Sequence, residues 1–176
     1  MATLFLMVGL PGAGKTTSAR SIGARETALV LTPDEWMVPL FGESDAGGRR
    51  DVLEARLIRL ALDMLRLGVS VVLDFGFWGR DERSALLAIA ADCGANGEVV
   101  YLPVDPVSQW QRISQRWMAT PHLTFPITQG ELDAWREQFE EPTAAELAGT
   151  WPDPPSGCPS WWDWAAQRWP SFGDPR

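Results

Sequence analysis

The chain has 176 residues, 45% of them hydrophobic and 22% charged, which suits one well-buried globular domain and leaves little for a second. Its formal net charge of −8 argues against wrapping duplex nucleic acid, where a basic surface is the usual footprint. Cys93 and Cys158 stand alone without a CxxC spacing, which fits a reducing cytoplasm. The opening MATLFLMVGL is too short to span a bilayer and has no basic residue before its apolar run, so it reads as a strand and no membrane is expected as a partner.

Taken in chain order, residues 3–8 (TLFLMV) are apolar without alternation, as a strand buried on both faces should be. GLPGAGKT follows, fitting G-x-x-x-x-G-K-[ST] between that strand and a helix expected over residues 15–25. Glycines let such a loop curl so that successive N–H groups point at phosphate oxygens, and the helix adds the positive end of its dipole. Gly9, Pro11, Gly12, Ala13, Gly14, Lys15, Thr16 and Thr17 are therefore expected to bind ATP. Lys15 is the only lysine among 15 basic residues. Its compact ammonium on a flexible stem reaches the β- and γ-phosphates where a planar guanidinium would not fit, while Thr16 offers its hydroxyl to Mg²⁺.

Residues 28–32 (ALVLT) form a second expected strand, and LTPDEW follows. Asp34 stands just past the C-terminal end of that strand, the rim where open α/β sheets bind ligands. It either takes the proton of an attacking substrate hydroxyl or caps the short helix EWMVPLF. Arg50 to Leu67 reads as a long helix whose Leu53, Leu57, Leu60, Met64 and Leu67 make an apolar stripe, and Gly68 stops it. In the third strand, residues 69–75 (VSVVLDF), Asp74 reaches the same rim and either holds a Mg²⁺-bound water or binds the acceptor. Trp36, Phe75, Phe77 and Trp78 give this rim an apolar lining suited to a small alcohol. Arg80 and Arg83 open the next helix (80–93): either one faces the site, with Arg80 the expected substrate contact, or both lie on a solvated face.

A fourth strand is expected over residues 98–104 and a helix over 107–118. On that helix Trp110, Ile113 and Trp117 make an inward face, and Arg112 and Arg116 a second stripe beside it. Two guanidinium forks on one face suit a polyphosphate, or the charge on a phosphoryl group in flight; the alternative is a solvated pair. MATPHLTFP reads as a short lid limited by Pro121 and Pro126, and His122, without a partner in sequence, is given no role. Thr128 with Glu131 has capping-box spacing. The tail holds Trp151, Trp161, Trp162, Trp164 and Trp169, with Ser160 and Asp163 starting a short helix that Pro170 ends. Its indoles either pack across the open edge or end of the sheet or line a ligand pocket.

The alternation of strands and helices implies an α/β fold with a parallel sheet of four to five strands flanked by helices, a short lid and a Trp-rich tail, and GLPGAGKT at the end of the first strand makes a P-loop NTPase fold the expectation. A P-loop kinase domain is expected over residues 1–146, with residues 147–176 packed on it as an extension.

GLPGAGKTT, LTPDEW, VVLDFGFWGRDER, YLPVDP…WQRISQR and ITQGELDAWREQFEEPT together resemble the P-loop kinase-like proteins related to the zeta toxins, chloramphenicol phosphotransferase and the 5′-hydroxyl polynucleotide kinases, from about Thr3 to Glu146. The last three segments particularly resemble a group of small bacterial kinases. The resemblance implies that Asp34 is the general base and that Arg112 and Arg116 clamp the phosphates of ATP, with Lys15 and Arg116 serving the transfer itself. The chain departs from the polynucleotide kinases at Met37, where they carry an Arg three residues after the base. A fifth strand and its adenine pocket are not evident in ELAGTWPDPPSG. The resulting expectation is a kinase using ATP and Mg²⁺ on a hydroxyl of a small molecule (an antibiotic, nucleoside or sugar alcohol), monomeric or homodimeric. The alternatives are a 5′-hydroxyl polynucleotide kinase, and a nucleotide switch or ATPase without an acceptor.

Overall fold

A computed structural model describes residues 1–43, 46–119 and 127–173. The unbroken apolar run becomes the central strand β1 (Thr3–Val8), since only a strand covered on both faces can bury Leu4 through Val8 together. It is followed by α1 (Lys15–Glu26), β2 (Leu29–Leu31), α2 (Pro33–Phe41), α3 (Arg49–Arg66), β3 (Val71–Gly76), α4 (Arg80–Asp92), β4 (Asn96–Tyr101), α5 (Pro106–Ala119), α6 (Gln129–Gln138), α7 (Ala144–Leu147) and α8 (Trp161–Arg168). The described residues hold four strands, all parallel, in the order β2-β3-β1-β4. All four C-terminal ends therefore open onto one rim.

The two faces bury different side chains. Leu4, Leu6, Val8, Val71 and Leu73 pack with α3, α4 and the tail, while Phe5, Met7 and Val72 pack with Ala19 and Ile22 of α1. Close approach is built in by glycine. A Cβ on Gly23 would lie 2.4 Å from Val30 Cγ2, and one on Gly97 2.5 Å from Leu87 Cδ2.

Three expectations shift. The fourth strand begins at Asn96, earlier than its apolar residues suggest, because backbone pairing of Asn96 and Gly97 with Thr3 and Leu4 sets the edge register. The buried stripe of α3 is Ala55, Leu57, Ile58, Ala61, Leu62 and Leu65; of the expected residues Leu57 lies in it and Leu53 and Met64 pack at its margin, whereas Leu60 and Leu67 are exposed. Both sets have helical spacing, but the one containing alanines lets α3 lie closer to the sheet. Thr32 occupies the N-cap position of α2 without a side-chain cap hydrogen bond and Pro33 the first turn, so Asp34 lies inside the helix and is not its cap. The expected lid segment around Pro121, His122 and Pro126 lies outside the described residues.

The tail takes the packing alternative over the sheet's helical layer. Ser160 caps α8 through the Asp163 N–H, and Trp161, Ala165, Trp169 and Phe172 are buried in the core between α3 and α4. Arg168 joins those helices, its Nε 2.8 Å from Glu82 Oε1 and its Nη1 3.0 Å from Asp51 Oδ1. Trp164 also borders a shallow cleft with Trp78, Arg80 and Glu140.

Arg83 is buried, not solvated. Its Nε meets Glu146 Oε1 at 2.7 Å, and its Nη1 donates to the carbonyls of Phe77 and Trp78, both at 3.1 Å. Glu146 in turn closes a capping box with Thr143. Removing one partner would leave an uncompensated buried charge, so Glu146→Ala is expected to lower stability by about 3–5 kcal/mol in chemical denaturation. Arg80→Ala, on a half-exposed side chain, should change it by under about 1 kcal/mol.

Candidate active site

Between Val8 and Lys15 the chain curls through Gly9, Gly12 and Gly14, with φ of 150°, 81° and 94°. Only glycine adopts these values without strain. The curl is gripped on three sides. A Cβ on Gly9 would lie 2.7 Å from Leu102 O, and one on Gly12 would lie 3.2 Å from Ile113 Cγ1. The Gly9 N–H donates to Gly76 O at 3.3 Å. Pro11 and Ala13 complete the loop, and Thr17 is exposed in the first turn of α1.

Lys15 Nζ folds back over this loop and donates to Leu10 O at 3.0 Å. Burial lowers its pKa, and Arg116 and Arg50 lower it further, against the opposing pull of Asp74 and Asp34. Three groups expected at the rim, Asp74, Asp34 and Arg116, thus act on one ammonium together with Arg50, which was not expected there. Thr16 Oγ1 donates to Asp74 Oδ2 at 2.7 Å, and Thr32 Oγ1 reaches the same oxygen at 3.4 Å. Burial raises the Asp74 pKa, while the Thr16 hydrogen bond and Lys15 hold it back. No group of three or more His, Cys, Asp or Glu among the described residues forms an all-protein metal cage.

Asp34 projects from the first turn of α2 with 71% of its side chain exposed, and Arg50 Nη1 of α3 holds its Oδ1 at 2.7 Å. Arg50 is itself steadied one turn along α3, where its Nε meets Glu54 Oε1 at 2.9 Å. Trp36 is exposed beside this pair on α2, whereas Met37 is fully buried.

The inward face of α5 differs from the expected one. Ile113 is buried, but Trp110 and Trp117 are exposed, and the other buried residue is Gln109. Polar groups turn inward because the facing surface is the loop backbone, whose carbonyls need donors. Gln109 Nε2 donates to Pro11 O at 2.9 Å and Arg112 Nη1 to Gly12 O at 3.1 Å. Arg116 lies one turn further along the same stripe.

At the end of β3, Gly76 and Phe77 both have positive φ, 101° and 31°. For Phe77 this is strained backbone, and the Arg83 bond to its carbonyl helps to hold it. The Phe77 ring does not reach the rim; it is buried and stacks on Phe75 with centroids 5.2 Å apart. Trp78 does reach it: a Cβ on Gly76 would lie 3.4 Å from Trp78 Nε1 and 3.6 Å from Lys15 Cε. Arg80 stays half-exposed, with Nε 3.9 Å from Glu146 Oε2. Sequence reasoning missed Arg50, Glu54 and Gln109 as site residues. The i,i+4 pairing of Arg50 and Glu54 was readable, but a polar residue buried against a loop leaves no periodic signal.

Burial pushes the Glu54 carboxyl up to about 7, with Arg50 pulling down and Glu82 and Asp51 pushing up. Folded Glu54 thus binds its proton more tightly than the unfolded group near 4.5. This stabilisation is complete below about pH 4.5 and is lost as pH rises through about 7. Denaturation curves across that window should show a loss on the order of 3 kcal/mol that Glu54→Gln removes.

Residues 4–142 match a family model described as AAA domain. No curated protein matches the chain by sequence. Kti12 of Chaetomium thermophilum in complex with ADP-AlF3 has a similar structure, with a TM-score of 0.64 and 16% identity over 97% of this chain and 100% of that one. A chain from Chloroflexus aurantiacus described as a candidate kinase gives a TM-score of 0.63 at 17% identity, covering 81% of this chain and 82% of that one. A chain of the Pnkp1/Rnl/Hen1 RNA repair complex gives 0.62 at 17% identity, covering 78% of this chain but 43% of that one. At such identities the likeness is one of fold. With its glycine-curled phosphate loop at the end of β1 and a family match over most of its length, the chain belongs to the AAA domain family.

Proposed function

We propose that the chain is a cytoplasmic, Mg²⁺-dependent kinase that transfers the γ-phosphoryl group of ATP to a hydroxyl of a small molecule, such as an antibiotic, nucleoside or sugar alcohol. One observation carries this reading: the exposed carboxylate of Asp34 stands at the same rim as Lys15 and the Thr16–Asp74 pair. A nucleotide switch needs the last three residues but has no use for a hydroxyl base. On this reading residues 1–146 form the catalytic domain and residues 147–176 its bracing extension.

The residues present fit both groups. The half-buried Lys15 side chain, its ammonium with a single carbonyl at hydrogen-bond distance, suits an anion in the loop's concavity. The hydroxyl of Thr16 and carboxylate of Asp74 are hard oxygen donors, as Mg²⁺ requires when substrate phosphates and water complete its shell. When bound, Mg²⁺ would neutralise charge on the phosphate oxygens. Lys15 turns from Leu10 O to the β- and γ-oxygens, and Arg112 and Arg116 face the same phosphates from α5. Trp36 and Trp78 hold the acceptor. Asp34, aimed by Arg50, takes the hydroxyl proton as the acceptor oxygen bonds to phosphorus, while the bond to the β–γ bridging oxygen breaks and ADP departs.

Screening hydroxylated metabolites and antibiotics with radiolabelled ATP identifies the acceptor. On that acceptor Asp34→Asn should cut turnover by roughly a hundredfold or more with ATP affinity nearly intact. Turnover near that of the wild type would remove Asp34 as base.

A 5′-hydroxyl oligonucleotide is the second acceptor to test, because one structural neighbour belongs to an RNA repair complex. The net charge of −8 and the buried Met37 favour the small molecule. Labelling of such an oligonucleotide should be poor and nearly flat between low and moderate salt. Efficient labelling that falls steeply with salt would identify a polynucleotide acceptor.

A further inference from the structure

Gln109 is fully buried, yet it lies on α5 against the backbone of the phosphate loop. Its two ends face groups of opposite character. Nε2 donates to the Pro11 carbonyl at 2.9 Å, and Oε1 accepts from Arg136 Nη2 of α6. Arg136 is anchored in turn by Nη1, 3.4 Å from Val104 O. A carbonyl can only accept and a guanidinium can only donate, so the amide orientation is determined by its neighbours. The same logic restricts the residue type: position 109 must donate at one end and accept at the other.

The consequence follows from peptide planarity. In a trans peptide the carbonyl of Pro11 and the N–H of Gly12 point in opposite directions. Drawing the Pro11 carbonyl outward toward α5 turns the Gly12 N–H toward the concave side of the loop. Arg112 holds the next carbonyl, that of Gly12, from the same helix face at 3.1 Å. The Ala13 N–H closes a turn on Leu10 O at 3.2 Å, and Gly12 at φ 81° has no side chain to resist rotation of the peptide plane within that turn, so the grips from α5 add to the turn in aiming the loop's donors.

We infer that Gln109 and Arg136 are positioning residues for nucleotide binding: the Arg136–Gln109–Pro11 relay fixes the peptide planes of the phosphate loop so that its N–H groups meet phosphate oxygens. The inference rests on the reading of the loop as an ATP site. It extends that site to α6, a helix beyond the motif, and makes α6 docking a condition of phosphate recognition.

Gln109→Glu separates this role from general packing. The carboxylate keeps and strengthens the contact to Arg136 but cannot donate to Pro11 O. Titrations with fluorescent ATP and AMP analogues, alongside melting without nucleotide, read the effect. Gln109→Glu should melt within a few degrees of wild type, bind ATP about tenfold more weakly and bind AMP within about twofold of wild type, because the β- and γ-phosphates are what the loop cradles. Gln109→Met, which neither donates nor accepts strongly, should show the same selective loss even if Gln109→Glu does not fold. ATP affinity within twofold of wild type in either folded variant would overturn the inference, as would equal losses for ATP and AMP. A wild type that binds neither nucleotide would instead overturn the ATP-site reading itself, and the relay with it.

Discussion

The rest of the structure depends on one constraint: between Val8 and Lys15 a buried strand must become a helix while its N–H groups turn inward. No strand ladder supports those residues; one turn bond, from the Ala13 N–H to Leu10 O, lies within the loop, and neighbours impose the rest of its conformation. Gly9 sits against Leu102, Gly12 against Ile113 and Gln109, and Gly76 against Gly9. The ends of three strands and one face of α5 thus converge on the loop. The parallel sheet makes this convergence possible, since it brings all strand C-termini to the same edge.

Charge is distributed with the same economy. A chain with a net charge of −8 nevertheless gathers Lys15, Arg50, Arg112 and Arg116 around the rim. The rim carboxylates differ in setting: Asp74 is buried and bonded to Thr16 and Thr32, while Asp34 stays open to solvent on Arg50. A buried acid pre-arranged by hydroxyls suits metal binding, and an exposed one suits proton exchange with an incoming ligand. Away from the rim, Arg83 and Glu146 hold the strained Phe77–Trp78 turn from behind. The position of Trp78 near Lys15 therefore depends on a charge pair that never meets the site.

The Trp-rich tail supports the same scaffold from the far side. Trp169 and Phe172 are almost fully buried between α3 and α4, each contributing about 1.5–3 kcal/mol of apolar burial. Arg168 ties both helices through Asp51 and Glu82. Glu82 and Asp51 also bear electrostatically on Glu54, so the tail, α3 and the Asp34–Arg50 pair form one charge-coupled network. Among the described residues no helix is long and apolar enough to cross a membrane. The tail's aromatics serve the interior.

What the sequence by itself determined is what repeats locally. The phosphate loop is read from Gly9, Gly14, Lys15 and Thr16 because its chemistry tolerates few residue types at each position. The four strands follow from short apolar runs, and the capping box at Thr128 from spacing of three. Tertiary structure alone decided that α3 buries Ala55, Ile58 and Ala61 and leaves Leu60 and Leu67 outside, that α5 turns Gln109 inward and Trp110 outward, and that Arg83 leaves the site for Glu146. It also paired Asp34 with Arg50 across 16 residues. Each of these turns on what lies opposite a side chain: close-packed strands accept alanine, exposed loop carbonyls demand donors, and a buried guanidinium must find its carboxylate. One-dimensional periodicity carries the angle of a residue on its helix but not the chemistry of the surface that it meets.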